Sequence, residues 1–353
     1  MASRFATLTS RPIGAAYLEM GTFTTAVMVL SIFADFFISM SVVALVTAGL
    51  ISSVVGISFD VNAVAVALLT ASAVLLFSGK YARLETVIKI LVLGFTLLIV
   101  VVAFSASAHL ATITTDIWPA VPATSASLLF VIAVAAWMPT PLSVSFYVSA
   151  WTVEKQKTKQ GSTDDKALSA DNDFIFGYSL TIVLALCFTL AGAAFMFAAS
   201  VTPANTAAGF ASQLIKLFTD AIGTWGWGII AIAAVGVMVS TVVSLMDGTC
   251  RSLEFTAHSL FGERKIYFPI LLLLQILGSA LILYSFASSF TLFLDIATST
   301  AFISAPLVAY YNFKALKREG LVGATSSLMK NWTYAAVVLL TCVLVLYLYT
   351  LMT

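Results

Sequence analysis

The stretch Phe130–Trp151, FVIAVAAWMPTPLSVSFYVSAW, decides how this chain is read. It is apolar and long enough to cross a bilayer, for which about 20 residues suffice, yet Pro139 and Pro141 stand in its middle. A proline lacks the N–H that would bond the carbonyl four residues earlier. Pro139 therefore frees the carbonyl of Ala135, and Pro141 frees that of Trp137. Met138 and Thr140, each preceding a proline, are biased toward extended backbone. The pattern predicts a helix, a short unwound segment and a second helix, all at membrane depth. Carbonyls exposed there are tolerated only where protein or a watery cavity receives them. Broken helices of this kind form substrate and ion sites in secondary transporters. A Pro-kinked packing helix is the alternative that the same residues allow.

Working outward, 61% hydrophobic and 9% charged residues exclude a water-soluble globule. The expected class is an all-α integral membrane protein, one transmembrane domain over residues 1–353. A net charge of +1 without a basic stripe gives no footing for nucleic acid. Cys187, Cys250 and Cys342 are too dispersed for a disulfide framework or a metal-ligand spacing. Neither His109 nor His258 lies in an apolar run, which argues against histidine catalysis within the membrane. No room is left for a soluble catalytic domain.

The order of apolar runs predicts nine spans. Thr22–Val55 is a long tilted span carrying Asp35, followed by a turn at Ser58–Asp60 and a span over Val61–Phe77. The charged loop 79–85 precedes a span from Thr86 to Phe104. Then come a Thr-rich connection with Pro119 and Pro122, and the broken element. Residues 153–173, rich in Lys and Asp, read as a flexible cytoplasmic loop. Spans follow over Ile175–Ala199 and Trp225–Met246, separated by Ala207–Asp220, an amphipathic stretch expected at the surface with Leu214, Ile215 and Phe218 on one face. Residues 247–265 read as a charged loop. Phe268–Tyr311 is long enough for two spans turning at Ser285–Ser289, and a basic loop over Asn312–Asn331 precedes the last. Of the 17 Lys and Arg residues, Lys216 alone falls on the side opposite the others. The positive-inside rule then places the N-terminus in the cytoplasm and the C-terminus outside, in a plasma (bacterial inner) membrane.

Of the 16 acidic residues, Asp35 and Asp295 fall well inside apolar spans. A charge at mid-membrane costs roughly 2.5–3.5 kcal/mol on insertion scales, so such an acid faces a cavity, finds a partner or takes up a proton. An acid that merely locks two helices together is the structural alternative. Met138, at the break, is a soft ligand that beside freed carbonyls would favour transition metals over calcium or magnesium; methionine is also ordinary filler in apolar helices. Ala233, Gly236, Ser240 and Ser244 form a small-residue face suited to close helix packing. An intramembrane aspartyl protease using Asp35 and Asp295 is a further reading, but FADF and FLDI lack the glycine-flanked aspartate of such enzymes, so no enzyme is expected.

At Trp137–Pro141, WMPTP, the chain resembles the NRAMP family of proton-coupled divalent metal transporters. FADFF at 33–37 is similar to their third helix, GKYARLETVIK at 79–89 to their fourth-to-fifth connection, and FISAPLVAY at 302–310 to their tenth helix. The resemblance implies a LeuT-like inverted-repeat bundle and proton symport of a divalent metal such as manganese, iron or magnesium. By position it implies metal ligands at the Ala135 carbonyl, the Met138 sulfur and Thr140, and a place for Asp35 in a proton route. Asp295 falls near a tenth-helix glutamine of the family. Thr140 replaces a family histidine, Pro141 an asparagine and Ile38 a second acid, as in the family's divergent branch. ASRFATLTSRPIG at 2–14 resembles the end of the family's second helix and the loop after it. The chain is therefore expected to be an N-terminally incomplete transporter, inactive as it stands, with a missing segment or a second chain completing the site. An organic solute such as an amino acid is the alternative substrate, and a non-transporting membrane scaffold the alternative role.

Overall fold

The computed structural model describes residues 1–56, 59–78, 81–110, 130–132, 134, 136–138, 140–158, 163–286, 290–321 and 327–352. Among the described residues the ordered elements are all helical. Two short helices, α1 (Ala2–Thr9) and α2 (Ile13–Glu19), lead into a rod built of α3 (Thr22–Phe33), a π-turn (Ala34–Ser39) and α4 (Met40–Val55). After them come α5 (Val61–Phe77) and α6 (Tyr81–Leu110). Residues 130–132, 134 and 136–137 are helical and are referred to as α7, and α8 is Val144–Thr158. The remainder is α9 (Thr163–Gly192) with a second π-turn (Ala193–Phe197), α10 (Ala207–Ile222), α11 (Trp227–Phe261), α12 (Tyr267–Ser285), α13 (Phe290–Arg318) and α14 (Ser327–Met352).

Among the described residues six helical stretches are long and apolar enough to cross a membrane: Thr22–Val55, Asn172–Phe197, Thr224–Phe261, Tyr267–Ser285, Leu292–Arg318 and Lys330–Thr350. Val61–Phe77 and Val92–Ala106 are apolar but shorter, and the broken element consists of two pieces. The described residues thus show six such stretches where the sequence reading expects nine spans. Large apolar side chains such as Phe104, Phe77 and Leu281 stand exposed around the bundle, a surface that suits lipid rather than water.

Several expected loops are helical. Residues 81–85 open α6, and the segment 153–173 is helix at 153–158 and again at 163–173. Residues 247–261 continue α11, residues 312–318 continue α13, and 327–331 begin α14. The reason is geometric. At 1.5 Å per residue, the 35 residues of α11 extend about 52 Å, well beyond a hydrocarbon core of about 30 Å. Charge marks where such a helix leaves the bilayer, not where it stops. In α11 the continuation is supported by an i,i+4 pair, Arg251 Nε to Asp247 Oδ1 at 2.7 Å, and by a buried face of Thr249, Cys250, Ser252, Leu253 and Thr256. The two halves of 153–173 meet through Lys155 and Asp173 at 2.7 Å, with α1 packed against both α8 and α9.

Amphipathic α10 lies against the bundle instead of apart from it. Ile215 is buried with Leu50 and Ala234, and Phe218 with Ile99 and Ile230. Thr206 caps its start, accepting from Gly209 N. The contact with α4 depends on Gly49, where a Cβ would stand 2.6 Å from the Ala207 carbonyl carbon. The sequence places α10 on the surface because its polar face is plain; the close approach to Gly49 is a tertiary fact.

Candidate functional site

The described helical residues of α7 end at Trp137 and helix resumes at Val144, leaving Met138, Thr140 and Pro141 without regular structure and Leu142–Ser143 in a turn. Pro139, and Ala135 with its expected carbonyl ligand, lie outside the described residues. On the far side of the break the backbone is paired locally: Val144 N–H bonds the Pro141 carbonyl at 3.2 Å, and Phe146 N–H bonds Ser143 O at 3.0 Å. On one side α7 seats Ile132 and Ala136 against Phe302 of α13 and Tyr347 of α14. Met138 is 41% exposed, and Thr140 and Pro141 are half-buried.

Asp35 sits on the π-turn of the α3–α4 rod and is 2% exposed. Ser39 Oγ donates to its Oδ1 at 2.8 Å. The hydroxyl of Tyr147, one turn into α8 and itself fully buried, donates to its Oδ2 at 2.5 Å. Ser143, at the foot of the break, faces the same pair, and its buried Oγ makes no hydrogen bond of normal geometry. No ion pair reaches Asp35 among the described residues; its partners there are neutral hydroxyls. A carboxyl group so placed can bind or release a proton, or share an oxygen with a cation, without disturbing an existing salt bridge.

Tyr147 is held from behind. Gly248 of α11 lies against Tyr147 and Trp151, and a Cβ there would stand 2.9 Å from Trp151 Cζ2 and 3.0 Å from Tyr147 Cβ. Trp151 Nε1 donates to Asp247 Oδ2 at 3.0 Å. The opposite side of α8 is tied to the N-terminal helices and to α13. Ile13 N–H bonds Ser149 Oγ at 3.1 Å, Asn312 Nδ2 donates to Ser145 Oγ at 3.0 Å, and the Tyr17 hydroxyl lies 3.0 Å from Asn312 Oδ1 and 3.1 Å from Val308 O.

A cavity of about 530 Å³ opens beside the break, lined by Thr140, Pro141, Ser145, Tyr178, Asn312 and Trp332 among others. Its walls are mostly apolar, with a few hydroxyl and amide groups for orientation, as in small-molecule sites. Among the described residues no group of three His, Cys, Asp or Glu side chains could hold a metal ion. A cation here would depend on backbone carbonyls, hydroxyls, Asp35 or the Met138 thioether.

The structure brings Asp35 and the far end of the break together through Tyr147 and Ser143, which sequence reasoning did not single out. Ser39, four residues after Asp35 on a helix, was the one readable partner. Asp295 is not part of this group. It is exposed near the start of α13, with its backbone carbonyl accepting from Thr298.

No family model matches the chain. It is 27% identical over 289 residues, 80% of its own length, to an uncharacterized protein of Pasteurella multocida (strain Pm70) designated PM0681. The chain spans 66% of that relative, just under two thirds.

Proposed function

We propose that this chain is the helical membrane domain of a secondary transporter for divalent metal cations, with protons as the coupling ion. The observation that carries the reading is the interrupted helix at residues 138–143, joined through the Tyr147–Asp35 bond to an acid buried within a membrane-crossing rod. Irregular backbone at that depth supplies oxygens, Met138 supplies a soft sulfur, and Asp35 supplies the titratable group. In this reading the α3–α4 rod, α5, α6, the α7–α8 pair, α9, α11, α12, α13 and α14 make nine crossings in a LeuT-like bundle. The N-terminus lies in the cytoplasm, the C-terminus lies outside, and the host is the bacterial inner membrane. The resemblance at WMPTP supports the same reading. The natural protein is reconstituted in vesicles holding a divalent-metal indicator, and uptake of manganese, iron, cadmium and magnesium is followed with and without a proton gradient. Uptake of none of the four ends the proposal.

A second reading, transport of a small organic solute such as an amino acid, is favoured by the cavity beside Thr140. Its volume of about 530 Å³ lies within the range of small-molecule pockets and far exceeds the needs of a bare ion. Competition between amino acids and metals for uptake into the same vesicles separates the two.

A further inference from the structure

In an α-helix the Met40 N–H would bond the carbonyl four residues back, that of Phe36. Here it bonds the carbonyls of Asp35 and Phe37 instead. The Phe36 carbonyl accepts from the side-chain amide of Gln275 on α12, at 2.9 Å. Gln275 is fully buried. Its Nε2 also donates to Thr249 Oγ1 at 3.0 Å, and its Oε1 accepts from Cys250 Sγ at 3.3 Å. Both amide hydrogens and the amide oxygen therefore have partners, from α11 and from the rod. The neighbouring turn of α12 completes a socket. The Phe37 ring lies directly on Gly278, and Ser41 Oγ approaches the Ser279 carbonyl at 3.4 Å.

We infer that Gln275 is a positioning residue that holds the α3–α4 rod in its π register and so keeps Asp35 against Tyr147. The rod has two registers within reach. In the π register the Phe36 carbonyl is left for a donor outside the helix. In the α register Met40 N–H reclaims that carbonyl, and the helical phase between α3 and α4 changes by one residue, about 100°. Asp35 then turns away from Tyr147. With no donor at position 275, the π register would leave a carbonyl unpaired in the apolar interior, which is costly. π-turns are frequent at functional sites; this one carries the buried acid. The inference concerns the shape of the rod and stands whatever the substrate is.

The test uses the full chain in lipid nanodiscs. The infrared band of the Asp35 carboxyl group is assigned by its disappearance in Asp35→Asn, and thermal unfolding is followed in parallel. Gln275→Leu should lower the unfolding midpoint and shift the Asp35 band in the same direction as Tyr147→Phe. Deleting Ile38 removes the extra residue of the wide turn, and in that background Gln275→Leu should cost less than in the wild type, because only its bonds to Thr249 and Cys250 are then lost. Equal losses in the two backgrounds, or an Asp35 band that Gln275→Leu leaves in place, overturns the inference. Should Gln275→Leu yield no folded protein, Gln275→Glu decides. A carboxyl group donates only when protonated, so lowering the pH should bring the Asp35 band toward that of the wild type at the same pH. A displaced band that ignores pH counts against the inference.

Discussion

The Tyr147 hydroxyl meets Asp35 Oδ2 at 2.5 Å across 112 residues of chain, and that bond joins the wide turn of the α3–α4 rod to the helix that follows the break. It is buried on both sides. Tyr147→Phe keeps the ring and its packing on Gly248 and removes the donor alone. Hydrogen bonds to charged groups contribute about 1.5–3 kcal/mol, and the loss should fall in that range if Asp35 is ionised. In a double-mutant cycle with Asp35→Asn, monitored by reversible unfolding, the two changes should couple by at least about 0.5 kcal/mol. Simple additivity would mean that the contact contributes nothing.

Gly49→Ala is expected to destabilise by about 1–3 kcal/mol, the usual cost of overpacking. The added carbon meets the backbone of Ala207–Ala208, which cannot rotate away. Gly177, on α9 with nothing within 4 Å of a built Cβ, is the control. There the alanine should be neutral or stabilising by up to about 1 kcal/mol, from helix propensity. Thermal melts of the two variants in the same detergent compare them directly.

Replacing Pro139 and Pro141 together with alanine returns two N–H groups to the backbone and removes the bias toward extended structure at Met138 and Thr140. Substrate flux into vesicles should fall by about tenfold or more, equivalent to ~1.4 kcal/mol, while helix content by circular dichroism rises or stays level. Undiminished flux would show that the break is a packing kink.

Met138→Ala separates soft from hard ions. Thioethers select soft metals, and oxygen ligands suit magnesium and manganese. Uptake of cadmium should weaken by about tenfold relative to magnesium, roughly 1.4 kcal/mol of differential binding. Equal loss for both ions would assign Met138 a packing role.

Hydropathy and proline placement on their own determined that this is a helical membrane protein, that Val61–Phe77 is one helix, that Thr22–Val55 is one rod, and that helix is interrupted near Pro139 and Pro141. Each follows from local physics: transfer of apolar side chains into lipid, and a missing backbone donor. Even Asp35 stood out, because one acid in an apolar run carries a desolvation cost that sequence alone exposes. Helix ends at residues 153–173 and 247–261 are not legible from charge, which reports where a chain leaves the bilayer, whereas a helix continues for as long as its neighbours bury one face. Only the tertiary structure decided that Asp35 faces Tyr147, that Gln275 occupies the Phe36 carbonyl, and that Asp295 stands outside this group. Those outcomes rest on the phase of a π-turn and on partners more than a hundred residues apart, and no local pattern encodes either.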